Sequence, residues 1–228
     1  SVVAPATSYG AGGFIGNMIN TCHTYDCYST ADVTSAGYYA GGFVGEHQAH
    51  VGAERCYATG DVTGASYVGG FSGDLYDGKA INCYATGDVT ATDASSYYGA
   101  CAGGFAGLIS QWNVSGKLFE YCYSTGSVTA PAGASGVGPF IGYDAGEFFF
   151  ATNDPYSYYN SETAGVADNG FGTARTTAEM THPYASNTYE GWDFTTPVWV
   201  ADAAYANNGY PYFNWQDFII IETNILDP

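Results

Sequence analysis

Basic residues are the scarcest class in this sequence. Lysine and arginine together number four, against 22 aspartates and glutamates, and the formal net charge is −18. So few cations cannot neutralise a run of phosphates, which argues against nucleic acid as a partner. An anionic membrane surface would repel the chain. No apolar stretch approaches the roughly 18–20 residues that span a bilayer, so a membrane span is not predicted.

Charge of either sign is also rare, because charged residues make up only 11% of the chain. Aromatic residues reach 17%, which is the opposite of a disordered composition. Glycine and tyrosine are in excess, with 32 and 22 copies. Glycine in company with threonine, valine and tyrosine predicts many short strands joined by tight turns. Few lysines and many hydroxyl side chains are typical of extracellular surfaces. The first residues show no signal peptide, so we expect a processed chain or a fragment.

Two short segments alternate along most of the chain. The first has the form Cys-Tyr-Ala-Thr-Gly-Asp-Val-Thr, and its four copies begin at Cys27, Cys56, Cys83 and Cys122. The second has the form Gly-Gly-Phe-Val-Gly. Its copies are Gly12–Gly16, Gly41–Gly45, Gly69–Gly73, Gly103–Gly107 and the degenerate Gly138–Gly142. A period of about 28 residues with two strand-like segments predicts an all-β fold, a parallel β-solenoid of about five coils.

Alternation within the first segment predicts its two faces. In the copy that begins at Cys56, the side chains of Cys56, Ala58 and Val62 fall on one side, and those of Tyr57 and Thr59 on the other. The first set is small and apolar, so it is the predicted inner face. The outer face would then carry ladders of tyrosine and threonine.

The alternation of these two segments resembles the GLUG-motif repeats of bacterial and archaeal surface and secreted proteins, including large adhesins. The resemblance continues beyond the repeats, in segments similar to those that close such arrays. These are Tyr159–Gly165, Thr176–Met180, Gly191–Phe194, Val198–Trp199 and Gly209–Trp215. The resemblance implies an extracellular location at the cell surface. It implies no catalytic residues, because enzymes that carry these repeats keep their chemistry in other domains.

Three regions are predicted from these patterns. Residues 1–143 form the solenoid, residues 144–215 form an irregular cap rich in aromatic residues, and residues 216–228 form a C-terminal strand. In the cap, Thr176 and Glu179 have the spacing of a capping box for one short helical turn. A solenoid needs a cap because its last coil otherwise exposes core side chains and an unpaired strand edge.

The two ends of the chain suggest self-assembly. Ser1, Val2 and Val3 align with the middle of a repeat, so the first coil lacks its preceding strand. The other end supplies an apolar, β-branched tail that the repeat does not need. Its candidate assembly residues are Phe218, Ile219, Ile220, Ile221, Ile225 and Leu226. The tail of one copy could complete the first coil of the next, giving a head-to-tail filament. Alternatively, the tail folds back on its own domain or leads into another one.

Six cysteines are candidates for disulfide bonds: Cys22, Cys27, Cys56, Cys83, Cys101 and Cys122. In-register neighbours about 4.8 Å apart lie within disulfide range, and an even number in an extracellular chain favours bridges. The sequence does not determine the pairing. The alternative is an inward ladder of free thiols that pack as small hydrophobic side chains.

Other polar residues offer weaker sites. Asp32, Asp61 and Asp88 form a predicted acidic ladder that could bind Ca²⁺, although turn chemistry is the favoured explanation. Histidines 47 and 50 share a loop with Glu46 and Glu54, but such residues are usually solvated, so no metal site or other cofactor is predicted. Asn113 begins an N-glycosylation sequon, Asn113–Ser115.

The predicted function is structural. No nucleophile elbow, phosphate loop or Ser-His-Asp pattern is present, so the chain is not expected to be an enzyme. We expect an extracellular subunit of a surface filament or sheath whose partners are copies of itself. The alternative is an adhesin module that binds glycans, for which a ladder of Tyr28, Tyr57, Tyr84 and Tyr123 could offer a stacked aromatic face.

Overall fold

The chain folds into a parallel β-solenoid of five coils, which confirms the fold that the repeats predict. The computed structural model describes residues 1–48, 52–93, 99–110, 118–145, 154–196 and 198–216. The predicted tail residues Phe218–Ile221, Ile225 and Leu226, together with Asn113 and His50, lie outside these ranges.

Each coil consists of very short strands. The first coil contains β1 (Val2–Ala4), β2 (Gly10–Gly12), β3 (Ile15–Met18), β4 (His23–Tyr25) and β5 (Tyr28–Ser29). The second contains β6 (Val33–Ser35), β7 (Tyr39–Gly41), β8 (Val44–Gln48), β9 (Gly52–Glu54) and β10 (Tyr57–Ala58). The third contains β11 (Val62–Gly64), β12 (Tyr67–Gly69), β13 (Ser72–Tyr76), β14 (Lys79–Ile81) and β15 (Tyr84–Ala85). The fourth contains β16 (Val89–Ala91), β17 (Cys101–Gly103), β18 (Ala106–Ser110), β19 (Phe119–Glu120) and β20 (Tyr123–Ser124). The fifth contains β21 (Val128–Thr129), β22 (Gly136–Gly138), β23 (Ile141–Asp144) and β24 (Tyr158–Asn160).

Equivalent strands of successive coils pair in parallel and form five sheets, numbered here by their order within a coil. The first sheet has the order β1-β6-β11-β16-β21, the second β2-β7-β12-β17-β22, and the third β3-β8-β13-β18-β23. The fourth has the order β4-β9-β14-β19. The fifth continues past the coils, with the order β5-β10-β15-β20-β24 followed by β25 (Thr173–Arg175). In every sheet the register places equivalent residues of the repeat side by side, so that Val33, Val62 and Val89 are neighbours.

The core consists of ladders of like residues. Five phenylalanines, Phe14, Phe43, Phe71, Phe105 and Phe140, stack with ring centroids 4.9 to 5.0 Å apart. The side chains of Cys56, Ala58 and Val62 are fully buried, as the alternation predicts. Each coil is too small to bury its own apolar face, and stacking removes that face from water.

The corner before the fifth sheet explains the repeated cysteine. The residue that precedes each ladder cysteine has left-handed backbone, with φ of 54° at Asp26, 54° at Arg55, 53° at Asn82 and 56° at Tyr121. This bend turns the chain sharply. Each cysteine thiol then donates a hydrogen bond to the carbonyl two residues earlier, for example Cys122 Sγ to Glu120 O at 3.2 Å. Each thiol therefore satisfies a backbone carbonyl at the corner where the chain bends.

Residues 161–172 cover the end of the last coil. Ala164 and the partly buried Phe171 pack on the same core cluster as the phenylalanine ladder. Val128 donates its amide hydrogen to Ala164 O at 2.9 Å. The Asn169 side chain donates to Ile141 O at 2.8 Å, and Thr163 Oγ1 donates to Thr125 O at 2.5 Å. These bonds satisfy backbone groups of the last coil that have no next coil to pair with.

Residues 176–216 form a second cover, called here the lateral cap. It contains one helical turn, α1 (Thr177–Met180), and an antiparallel pair, β26 (Trp199–Val200) and β27 (Tyr212–Phe213). The predicted capping box is present, with Thr176 and Glu179 exchanging hydrogen bonds. The sequence places these aromatic residues on the last coil, but they instead pack along the side of the solenoid, on the tyrosine ladder of the fifth sheet.

Candidate assembly surface

The first coil presents the open end of every ladder in the solenoid. Phe14 is 45% exposed and Tyr28 is 51% exposed, whereas Phe71 and Tyr84, at the same positions two coils later, are fully buried. Val3 is 79% exposed and Val2 is partly buried. Further exposed apolar side chains of this coil are those of Tyr9, Ile19 and Tyr25. These exposed apolar side chains are concentrated at one end of the described solenoid, and such a patch is typical of an interaction surface.

The two ends of the solenoid therefore differ. The last coil is covered by residues 161–172 of its own chain. On the first coil, β1 and β5 are the edge strands of their sheets. An edge strand that no strand of the described residues pairs with can template pairing with another strand. Ser1, Val2 and Val3, which the sequence proposes as assembly residues, lie at this edge.

The lateral cap brings the chain back from the last coil to the first. The Trp192 ring centroid lies 6.1 Å from that of Tyr158 and 6.2 Å from that of Tyr123. Trp215, near the end of the described chain, lies 5.8 Å from Tyr57 and 6.3 Å from Tyr28. The following Gln216 donates to Tyr84 Oη at 2.6 Å. The described chain therefore ends beside the first coils and not at the far end of the molecule.

The same cap changes the prospects for a glycan-binding tyrosine face. Tyr57, Tyr84 and Tyr123 stack at 4.8 Å, as the ladder predicts, but the cap buries all three. The Tyr123 hydroxyl donates to Pro211 O at 2.8 Å. Of the four tyrosines proposed to bind sugars, only Tyr28 is exposed. The prediction of an exposed ladder is wrong because the aromatic cap covers the face along which the tyrosines stack.

The aspartate ladder has a structural explanation. Asp32 Oδ1 accepts the amide hydrogen of Asp61 at 3.1 Å, and Asp61 Oδ1 accepts that of Asp88 at 2.9 Å. Asp88 Oδ1 accepts that of Ser127 at 2.8 Å. Each carboxylate thus bonds to the backbone of the next coil, which gives the aspartates a structural role that is neither the predicted turn chemistry nor Ca²⁺ binding. Among the described residues, no group of three histidine, cysteine or acidic side chains is arranged to hold a metal ion.

All six cysteines are free thiols in this structure. Cys56, Cys83 and Cys122 are buried in the ladder with Cys27, Cys101 is buried in a separate cluster, and Cys22 is exposed. Burial raises the pKa of the Cys83 thiol, which disfavours the reactive thiolate. The arrangement is the inward thiol ladder that the sequence left as the alternative to disulfides, and disulfide formation stays a prediction.

The histidines do not form a solvated cluster. His47 is completely buried, and neither of its ring nitrogens has a hydrogen-bond partner. Burial lowers its pKa to about 3, so the ring is neutral. The expectation of a solvated loop position is wrong for His47, because the residue lies on β8 in register with the buried Met18 and Leu75. His23 lies on β4, and its charge lowers the pKa of His47 further. His182 lies in the lateral cap, where its amide donates to Gly209 O.

Comparison with known proteins supports the repeat and the fold. Residues 64–90 match the family model of the GLUG motif, which confirms the resemblance in that repeat. No curated protein matches the chain. Among solved structures, the chain is similar to a "putative immunoglobulin A1 protease" from Bacteroides ovatus, with a TM-score of 0.54 and 19% identity. The match covers 86% of this chain and 58% of that one, so this chain spans little more than half of the other protein. At this identity the likeness concerns the fold alone.

These findings support a GLUG-type repeat in a β-solenoid fold. No helix in the described part of the chain is long and apolar enough to cross a membrane.

Proposed function

We propose that this GLUG-motif repeat protein is an extracellular structural subunit that assembles with copies of itself through its open first coil. The observation that carries the proposal is the difference between the two ends of the solenoid. One end is sealed by the chain's own residues 161–172, and the other exposes Val3, Phe14 and Tyr28. Burying these side chains and pairing the free edge of β1 would stabilise a contact between copies.

The C-terminal residues 217–228 are the proposed donor of the complementing strand. They include the apolar run Phe218–Ile221, and their attachment point at Gln216 lies beside the first coils. Twelve extended residues span about 40 Å, which exceeds the roughly 20–25 Å height of five coils stacked about 4.8 Å apart. The tail of one copy is therefore long enough to reach the first coil of another. A head-to-tail contact of this kind does not close on itself and produces a filament.

A glycan-binding adhesin module is the alternative function. The burial of Tyr57, Tyr84 and Tyr123 removes the stacked face on which that reading depended, and leaves Tyr28 as the exposed member. The proposed function also assigns no catalytic activity to the chain. The similar structure from Bacteroides ovatus is named after a protease, but 19% identity does not transfer an activity.

The proposal predicts that residues 217–228 are needed for assembly. The full chain and a chain ending at Gln216 are compared by size-exclusion chromatography with light scattering and by negative-stain microscopy. Filaments or oligomers are expected from the full chain and monomers from the shorter one, because the shorter chain lacks the strand that completes the first coil.

Two point variants serve as matched tests of the receiving surface. Phe14→Asp places a charge on the open coil, and Tyr205→Asp makes the same kind of change at a 61% exposed site in the lateral cap. Only Phe14→Asp should reduce assembly. Monomers from the unaltered full chain would contradict the proposal and turn attention to glycan binding.

A further inference from the structure

Two buried carboxyl groups lie side by side in the third sheet. Glu46 and Asp74 are each 2% exposed. They are paired residues on the neighbouring strands β8 and β13, which places them on adjacent rungs about 4.8 Å apart. The sequence gives little sign of this site, because neither residue belongs to a repeated segment. Asn17 and Leu108 occupy the equivalent positions in the first and fourth coils.

The neighbours of these carboxyl groups are neutral or acidic. Tyr9 and Tyr39 lie against the pair from the second sheet and contact each other edge-to-face at 5.2 Å. Ser110 donates to Asp74 from the next strand, at 3.3 and 3.4 Å from its two oxygens. The remaining titratable groups that interact with the pair are Tyr76, Asp77 and Cys101. Arg55 is the cation of both ion pairs found in the described residues, and its partners are Asp26 and Glu54.

Ionising both carboxyl groups is unfavourable in this buried site, whose neighbours are neutral or acidic. Transferring either charge out of water costs free energy, and the two like charges also repel each other. The hydrogen bonds to the two carboxyl groups differ. Glu46 interacts with Asn17 Nδ2, 2.6 Å from its Oε2, and with the Tyr9 hydroxyl, whereas Asp74 receives longer bonds from Ser110. Burial raises the pKa of both groups, and places that of Asp74 well above its ordinary value. Of the two, Asp74 therefore favours the protonated form more strongly.

We propose that this buried carboxyl pair is a proton-binding site, in which Glu46 and Asp74 together hold at least one proton at neutral pH, so that acidification strengthens the fold. Above the ordinary carboxyl pKa values of about 4, the unfolded chain releases these protons while the folded chain retains them. Folding then takes up protons, and the stability gained from the pair is lost as pH rises through the folded pKa values. His47 acts in the opposite direction, because it is neutral when folded and its contribution is lost as pH falls from about 6.5 towards 3.

The test compares melting temperatures at pH 4 and pH 8 for the full chain and for Asp74→Asn, with Glu190→Gln as an exposed control. Every variant retains His47, so its contribution cancels when the melting temperatures of two variants are subtracted at the same pH. Asp74→Asn should change the melting temperature little at pH 4. It should raise it by about 2–4 °C or more at pH 8, since asparagine needs no proton to be neutral. If Asp74→Asn lowered the melting temperature equally at pH 4 and pH 8, the proposal would be overturned.

A direct titration keeps the proposal testable if the variant does not fold. The chain is labelled with ¹³C at the aspartate carboxyl carbon, and NMR spectra are recorded from pH 3 to pH 8. The proposal expects one aspartate resonance that titrates above pH 6. Ordinary titration near pH 4 of every aspartate, in a folded protein, would contradict it.

Discussion

Replacing Trp199 by alanine is expected to destabilise the protein by about 3–5 kcal/mol, the range for a buried tryptophan. Trp199 is fully buried at the centre of the lateral cap. Its ring lies 4.4 Å from both Trp192 and Phe213, and 6.0 Å from Tyr123 on the solenoid. Its indole nitrogen donates to Asn82 Oδ1 at 3.1 Å. The free energy of unfolding from urea titrations measures the loss.

The control for this variant is Tyr205→Ala in the same cap. Tyr205 is 61% exposed, so its truncation should cost less than about 1 kcal/mol. Trp199→Phe should fall between the two, because it keeps most of the apolar contact but loses the hydrogen bond to Asn82. If Trp199→Ala were no more harmful than Tyr205→Ala, the cap would not be an integral part of the folded solenoid.

The phenylalanine ladder supplies the second large effect. Phe71 is fully buried and stacks on Phe43 at 4.9 Å and on Phe105 at 5.0 Å. Phe71→Ala removes a ring from between two others and leaves a cavity that the closed coils cannot easily fill. We expect a loss of about 3–5 kcal/mol in the free energy of unfolding.

Phe14→Ala is the matched control, because it makes the same change at the open end of the same ladder. Within the described part of the chain Phe14 stacks on one ring, that of Phe43, and it is 45% exposed, so the expected loss for the monomer is about 1 kcal/mol. The ratio of the losses in unfolding free energy caused by Phe71→Ala and Phe14→Ala measures how exposed the first coil is. Equal losses would show that something already covers Phe14.

The repeats allowed the solenoid and its inner face to be predicted, because stacking places like residues on like. Cys56, Ala58 and Val62 point inward for this reason, and their burial follows from a two-residue period. The carboxylate bonds of Asp61 and Asp88 also follow from repetition, since each reaches the amide of the coil beside it. The alignment of Val2 and Val3 with the middle of a repeat agrees with their pairing with Val33 and Thr34 in the first sheet.

The parts that the sequence left unpredicted depend on contacts outside the repeat. The tryptophans predict an aromatic cap, but their spacing does not indicate whether the cap packs on the end or on the side of the solenoid. They are Trp192, Trp199 and Trp215. Its position decides that Tyr84 and Tyr123 are buried. Glu46 and Asp74 come together only through the register of β8 and β13, at a position where other coils carry Asn17 and Leu108.

Hydrogen exchange of the first coil tests the proposed assembly most directly. Deuterium uptake is measured by mass spectrometry on the full chain at low and high protein concentration, with the mass of the species determined in parallel. The account predicts that association slows exchange in residues 2–18 and leaves exchange in residues 176–196 of the lateral cap unchanged. Assemblies in which the first coil exchanges as fast as in the monomer would contradict it.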